Sequence, residues 1–301
     1  MHRPVPLALV ALAALPALAV AACRRPPAAA SVADGGPASV VAARPYLLTV
    51  PQGDPKTPLP LVLVLHGYGS TGKRHDDAWG FSALGLREGF LVAAPDGTVD
   101  PRGNRFWNAT DACCNFYGST VDDVAYIRAL LDDVAARTPV DPKRVFVVGH
   151  SNGGFFAHRL ACDMPERIAA VVSLAGAQWK DGARCTPSVP VNVVEVHGTD
   201  DLVVSPGGGR VFNQPVPPYP TVTETMAIWS EKLGCQGEPD RSVATLDLDA
   251  RVPGAETRID RWRGCRATLE LWTVEHGAHA PAMTSAWADA VWAFFKAHAK
   301  S

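Results

Sequence analysis

Val145-Phe146-Val147-Val148-Gly149-His150-Ser151-Asn152-Gly153-Gly154 places a serine in a Gly-x-Ser-x-Gly pattern between an apolar, β-branched run and a helical one. The pattern alone is weak, and its context is what raises it. A short continuous apolar run is what a strand buried on both faces of a parallel sheet looks like, and Phe155-Phe156-Ala157-His158-Arg159-Leu160-Ala161 continues as a helix. The turn between them needs glycines, because the chain doubles back with little room for Cβ atoms, and that geometry lifts the Ser151 hydroxyl above the sheet. The stretch therefore reads as a nucleophile elbow rather than as a structural turn that holds a serine.

Working outward, segments of the same buried-strand character occur at residues 59–67, 90–95, 168–174 and 191–196, while residues 46–50 read as an edge strand. Helical patterns fall at residues 121–137, 155–163, 222–233 and 284–299. Strand and helix alternate, which is the α/β signature. With the elbow set among them, the expected architecture is a single-domain α/β-hydrolase fold over residues 45–301, a mostly parallel sheet with helices on both faces. Ser119 or Thr120 is the expected cap of the helix beginning near Val121, with Asp122 and Asp123 serving its positive first turn rather than catalysis. The Gly- and Pro-rich residues 205–220 form a long loop of the kind that is often functional.

Lys and Arg number 28 against 30 Asp and Glu, a net charge of −2. That balance offers no basic stripe for nucleic acid and points to a small, mostly uncharged substrate. Residues 1–22 carry a thin charged start and an apolar run, an export signal by pattern. The ending Val20-Ala21-Ala22-Cys23 resembles the lipobox of bacterial lipoproteins, so Cys23 is the expected lipidation site and the only expected membrane link. Cleavage after a small residue, giving a secreted protein, is the alternative. Residues 23–44, rich in Pro, Ala, Ser and Gly, read as a flexible tether. Six further cysteines, Cys113, Cys114, Cys162, Cys185, Cys235 and Cys265, suit disulfides in an exported chain. No metal-ligand spacing is present.

A serine hydroxyl is a poor nucleophile near neutral pH. It needs a histidine within hydrogen-bond reach and a carboxylate that holds the histidine's tautomer, and in α/β-hydrolases these follow in the order serine, acid, histidine. Asp200 and Asp201 follow the strand at 191–196, and His276 and His279 follow a strand-like run at 267–274. The amide after the nucleophile, Asn152, is one expected oxyanion donor, and the turn His66-Gly67-Tyr68-Gly69 is placed to supply the other. His66, His150 and His197 read as packing neighbours. Phe106, Trp107, Phe116, Tyr117, Phe212 and Tyr219 lie in loops where an acyl group or sugar could stack, with Trp107, Phe212 and Tyr219 the substrate-binding candidates.

The combination of Pro60-Leu61-Val62-Leu63-Val64-Leu65-His66-Gly67, Trp107-Asn108 before Cys113-Cys114, Val121-Asp122-Asp123-Val124, Gly149-His150-Ser151-Asn152-Gly153-Gly154 and His197-Gly198-Thr199-Asp200-Asp201 resembles one group, as does the Cys235, Cys265, His279 ending. That group is the esterases of the polyhydroxybutyrate depolymerase, feruloyl esterase and acetyl xylan esterase type. The resemblance runs from about Tyr46 to Phe295. It implies a triad of Ser151, His279 and Asp201, with Asp201 the fifth residue of His-Gly-x-x-Asp, and it implies Tyr68 as the second oxyanion donor. It also implies a Cys235–Cys265 disulfide, no cofactor, and a small or oligomeric ester as substrate. The chain departs from the group in reading Gly277-Ala278-His279-Ala280-Pro281 with no tryptophan after the histidine, which bears on an aromatic wall and not on the base. The rival readings are a peptidase of the same fold and a catalytically silent polymer- or glycan-binding scaffold.

Overall fold

The buried β-branched runs become the middle of a ten-stranded sheet, because strands covered on both faces need apolar side chains pointing both ways. The computed structural model describes Met1 and residues 37–53 and 56–300. The expected export signal, Cys23 and the tether up to residue 36 lie outside the described residues. In chain order the first elements are α1 (Pro37–Ala43), β1 (Tyr46–Thr49), β2 (Leu59–Leu65), α2 (Gly72–Trp79), α3 (Phe81–Glu88), β3 (Leu91–Pro95), β4 (Thr98–Val99) and β5 (Arg105–Phe106). There follow α4 (Asp123–Arg137), β6 (Val140–His150), α5 (Asn152–Asp163), β7 (Ala170–Leu174), β8 (Asn192–Gly198) and α6 (Val222–Leu233). The chain closes with β9 (Gln236–Asp240), β10 (Thr245–Leu246), β11 (Thr257–Arg263), β12 (Leu269–Val274) and α7 (Ala286–Ala297).

The strand order is β1-β3-β2-β6-β7-β8-β12-β11-β10, with β9 also on β11. From β3 to β12 every pairing is parallel, and antiparallel pairs close both edges. Alternation along a strand sends side chains to opposite faces. Leu61, Leu63 and Leu65 of β2 accordingly join a core with residues of α4, α5 and α6, while Val62 and Val64 join a second core with Trp287, Trp292 and Phe295 of α7.

Two expectations at element boundaries are corrected. The tether does not extend to residue 44: residues 37–43 form α1, whose Val41 is buried in the first core. Arg44 bonds the buried Asp123 carboxylate at 2.6 Å, and its guanidinium carbon sits 3.8 Å from the centre of the Tyr126 ring. The cap of α4 is Asp122, which accepts the Ala125 amide, and not Ser119 or Thr120. Asn115 closes the preceding turn on the backbone of Ser119, and the helix starts at Asp123, two residues later than expected. Asp123 serves Arg44 and the Asn108 amide instead of the helix end.

The cysteines pair as Cys113–Cys114, Cys162–Cys185 and Cys235–Cys265. The last closes a loop of 30 residues between the end of α6 and the start of β12. Such a closure restricts the unfolded chain by about 3.5 kcal/mol in the chain-entropy picture. Cys235→Ser is therefore expected to lower the melting temperature by roughly 5–10 °C while Ser151 stays open to covalent labelling at low temperature. Calorimetry in parallel with labelling checks both, and an unchanged melting temperature would refute the role given to this bridge.

Candidate active site

The elbow forms where β6, the strand beside β2, gives way to α5. Ser151 adopts φ 54° and ψ −120°, a conformation that β-carbon sterics disfavour for any residue but glycine. Its amide donates to the Leu174 carbonyl at 2.8 Å, which ties the turn to β7. The flanking glycines are required by close approach: a Cβ on Gly149 would meet the Gly153 carbonyl at 2.2 Å, and one on Gly153 would meet the Leu65 carbonyl at 2.4 Å.

Asp201 lies in the turn after β8 and His279 in the loop after β12, and these two strands are parallel neighbours. The Asp200 amide donates to the Gly277 carbonyl at 3.0 Å and the Thr199 amide to the Val274 carbonyl at 3.1 Å, so acid turn and histidine loop are joined by backbone. His279 Nδ1 donates to Asp201 Oδ2 at 2.8 Å, and His279 Nε2 lies 3.0 Å from Ser151 Oγ. A carboxylate can only accept, so it holds the proton on Nδ1 and leaves the Nε2 lone pair facing the serine hydroxyl. Asp201 Oδ1 takes the amides of Val203 and Val204 at 2.8 and 2.9 Å. Burial by itself would raise this carboxyl. The bond from His279 and the two amides outweigh it and hold Asp201 below the usual carboxylate range.

The alternatives Asp200 and His276 sit elsewhere together. Both are exposed, and they face each other across 3.5 Å at the surface. Of the expected oxyanion donors, Asn152 follows Ser151 in the chain and Tyr68 lines the same cleft, and among the described residues neither main-chain N–H has a hydrogen-bond acceptor. The Asn152 side chain is meanwhile spent on Trp107, accepting its amide at 2.6 Å and donating to its carbonyl at 3.0 Å.

That grip overturns one expectation. Trp107 is fully buried, stacked on Phe156 with ring centres 5.2 Å apart, and its indole N–H bonds the His66 carbonyl. It props the turn that carries Tyr68 and has no face to offer a ligand. Tyr219 is likewise buried, its hydroxyl accepting the Ser205 amide at 2.8 Å, so it braces the 205–220 loop from within. Of the three aromatic candidates only Phe212 lines the cleft over Ser151, a space of about 460 Å³ shared with Tyr68, Trp79, His150 and His279. Phe212 is 54% exposed and stands near Tyr68 and Phe116, ring centres 6.2 and 6.3 Å away.

A polar chain supports the histidine loop from the far wall. His150 Nε2 donates to the His279 carbonyl at 2.8 Å, which leaves its Nδ1 to accept from His75 Nε2 at 3.1 Å. His75 Nδ1 in turn faces the Ser70 hydroxyl at 3.0 Å. Each ring is neutral in this arrangement, and burial, reinforced by the neighbouring imidazoles, pushes His75 down to about 3 and His150 down to about 4. His150 is thus more than the packing neighbour expected of it. His75 had no sequence signal, since it sits in a short polar helix with no motif around it. Among the described residues no group of three or more His, Cys, Asp and Glu side chains is arranged to hold a metal ion.

The model of the family described as esterase PHB depolymerase matches residues 44–205, more than half of the chain. This chain belongs to that family. The match takes in Ser151 and Asp201 and ends before His279. Among curated relatives, feruloyl esterase B of Piromyces equi is 26% identical over 229 residues, 73% of this chain and 39% of that protein. Poly(3-hydroxyalkanoate) depolymerase C of Paucimonas lemoignei is 31% identical over 207 residues, 67% of this chain and 45% of its own length. The esterase PHB depolymerase family member described here thus spans less than half the length of these two relatives. Its fold is shared with the acetyl xylan esterase from Aspergillus awamori, at a TM-score of 0.58 and 17% identity, covering 83% of this chain and 93% of the other. Esterase PE8 shows the same fold at a TM-score of 0.53 and 18% identity, covering 85% and 98%.

Proposed function

We propose that this chain is an exported serine esterase that hydrolyses carboxylic esters through an acyl-enzyme. The observation that carries the reading is the line from Ser151 Oγ through His279 to Asp201, at 3.0 and 2.8 Å. Ser151 Oγ attacks the ester carbonyl as its proton passes to His279 Nε2. The carbonyl oxygen gains negative charge and is met by the amides of Tyr68 and Asn152. Collapse of the tetrahedral species breaks the bond to the alcohol, which leaves with the proton from His279. Water then adds to the acyl-enzyme by the same route in reverse, releasing the acid and restoring Ser151. Asp201 keeps the imidazole oriented and steadies its positive charge while it holds the second proton.

Export is supported by the apolar leader pattern and by three disulfides, which persist in oxidising compartments. Anchoring through a lipidated Cys23 is the form of export that the Val20-Ala21-Ala22-Cys23 ending favours.

For the acyl group, the aromatic rim of Tyr68, Phe116 and Phe212 favours an aryl acid of the feruloyl kind over acetyl or short hydroxyalkanoate esters. A ring stacking on Phe212 adds about 0.5–1.5 kcal/mol. Phe212→Ala should then raise KM for a feruloyl ester by about 2–12-fold and leave an acetyl ester of the same alcohol unchanged. Steady-state kinetics on acetyl, butyryl, feruloyl and 3-hydroxybutyrate oligomer esters test this. Equal losses on all four would remove the aryl preference, and no turnover of any of them would remove the esterase reading.

A further inference from the structure

Beneath Asp201 runs a buried polar chain that the triad does not explain. Trp229 Nε1 donates to His158 Nδ1 at 3.0 Å, His158 Nε2 lies 2.9 Å from Glu195 Oε2, and Glu195 Oε1 lies 2.9 Å from His197 Nδ1. His197 Nε2 then reaches the Val204 carbonyl at 2.8 Å and stands 3.6 Å from Asp201 Oδ2, the oxygen that receives His279. Trp229, His158 and Glu195 are fully buried and His197 is 3% exposed.

The protons in this chain follow from what each group is able to do. An indole N–H only donates, so His158 Nδ1 must accept, and its single proton lies on Nε2 and goes to Glu195. A backbone carbonyl only accepts, so His197 Nε2 carries a proton. What remains is the proton between Glu195 and His197 Nδ1. Glu195 already takes a hydrogen bond from His158, which favours the carboxylate. The Asp201 carboxylate on the other side of His197 favours the imidazolium.

We propose that Glu195 and His197 form a buried ion pair whose cation stands against Asp201 and acts as a positioning element for the triad. The inference rests on the triad reading given above. Burial by itself pulls His197 down and pushes Glu195 up. The bond to Glu195 reverses the first, and the bonds from His158 and His197 reverse the second, leaving His197 above the usual imidazole value and Glu195 below the usual carboxylate range. The groups facing His197 are Glu195 from β8, Asp201 and the Val204 carbonyl from the turn beyond it, and His279 across Asp201. Positive charge at this place has one direction of effect. It offsets part of the Asp201 charge felt by His279, so removing it strengthens the hold of Asp201 on the imidazolium.

Glu195→Gln is the informative variant, because it keeps every hydrogen bond while removing the charge. The glutamine oxygen accepts from His158, and its amide donates to a neutral His197 that still donates to Val204. The acid limb of kcat/KM, and of fluorophosphonate labelling of Ser151, is expected to move up by about half to one pH unit, with KM unchanged. A folded Glu195→Gln protein with the wild-type acid limb would overturn the proposal. Nitrogen-15 NMR of histidine-labelled wild type decides it independently of that variant's folding. Both His197 ring nitrogens are expected to stay protonated from pH 5 to pH 8, and a neutral His197 at pH 7 would overturn the ion pair. Failure of the esterase reading would show differently, as wild-type protein that fluorophosphonate does not label.

Discussion

Ser151→Ala is expected to abolish fluorophosphonate labelling and to lower ester turnover by roughly a million-fold. The size follows from what is lost. In the proposed mechanism the Tyr68 and Asn152 amides and the cleft remain, so some stabilisation of the oxyanion survives, but there is no longer an oxygen for His279 to deprotonate. The fold is expected to stand, since among the described residues the serine hydroxyl bonds only His279. Mass spectrometry of the labelled intact protein, alongside kcat/KM, gives the result directly. Labelling at the wild-type rate in Ser151→Ala would place the nucleophile elsewhere.

The second large effect separates two neighbours. Asp201→Asn should cost about 10⁴-fold in kcat, whereas Asp200→Asn should change it by no more than about twofold. The amides of Val203 and Val204 both point at one oxygen of Asp201. An asparagine would keep its carbonyl there and turn its NH₂ toward His279 Nδ1. His279 would then have to accept at Nδ1 and carry its proton on Nε2, where it blocks proton transfer from Ser151. Asp200 faces the exposed His276 and the Thr199 hydroxyl at the surface, and water replaces those contacts at little cost. Comparable, mild losses in the two variants would mean that another group orients His279.

Much of this architecture is legible in the residues because the parallel strands announce themselves. Leu61–Leu65 and Val145–Val148 are apolar on both faces, as is Val193–Val196 apart from Glu195, and only a doubly covered sheet asks for that. The elbow and the order serine, acid, histidine follow from the same reading, and it is the resemblance to the family's His-Gly-x-x-Asp that separates Asp201 from Asp200. In two of the elements without a signal the periodicity is masked by charge. Helix α2 holds Lys73, Arg74, His75, Asp76 and Asp77 in eight residues, and β11 alternates Arg258, Asp260, Arg261 and Arg263, steadied by Asp260, Glu270, Glu275 and Asp240. Aromatic residues in loops misled for a related reason. Composition shows that Trp107 and Tyr219 lie between elements, but not that the Asn152 carboxamide and the Ser205 amide fold them inward. The support beneath the triad is hidden in the same way, since His75 meets His150 across 75 positions and His158 meets Glu195 across 37.

The placement of β12 between β8 and β11 has a consequence in time. The bond between Ser151 and His279 spans 128 positions and that between Asp201 and His279 spans 78, and the histidine rides on the last strand of the sheet to leave the ribosome. Pairings over such separations are slow to form. A nascent chain that has already emerged through the elbow therefore holds a serine with no base and hydrolyses nothing. In the proposed reading competence waits until the C-terminal quarter inserts beside β8. For a chain exported as proposed above, the effect is a built-in delay, with activity switched on by the same event that completes the sheet.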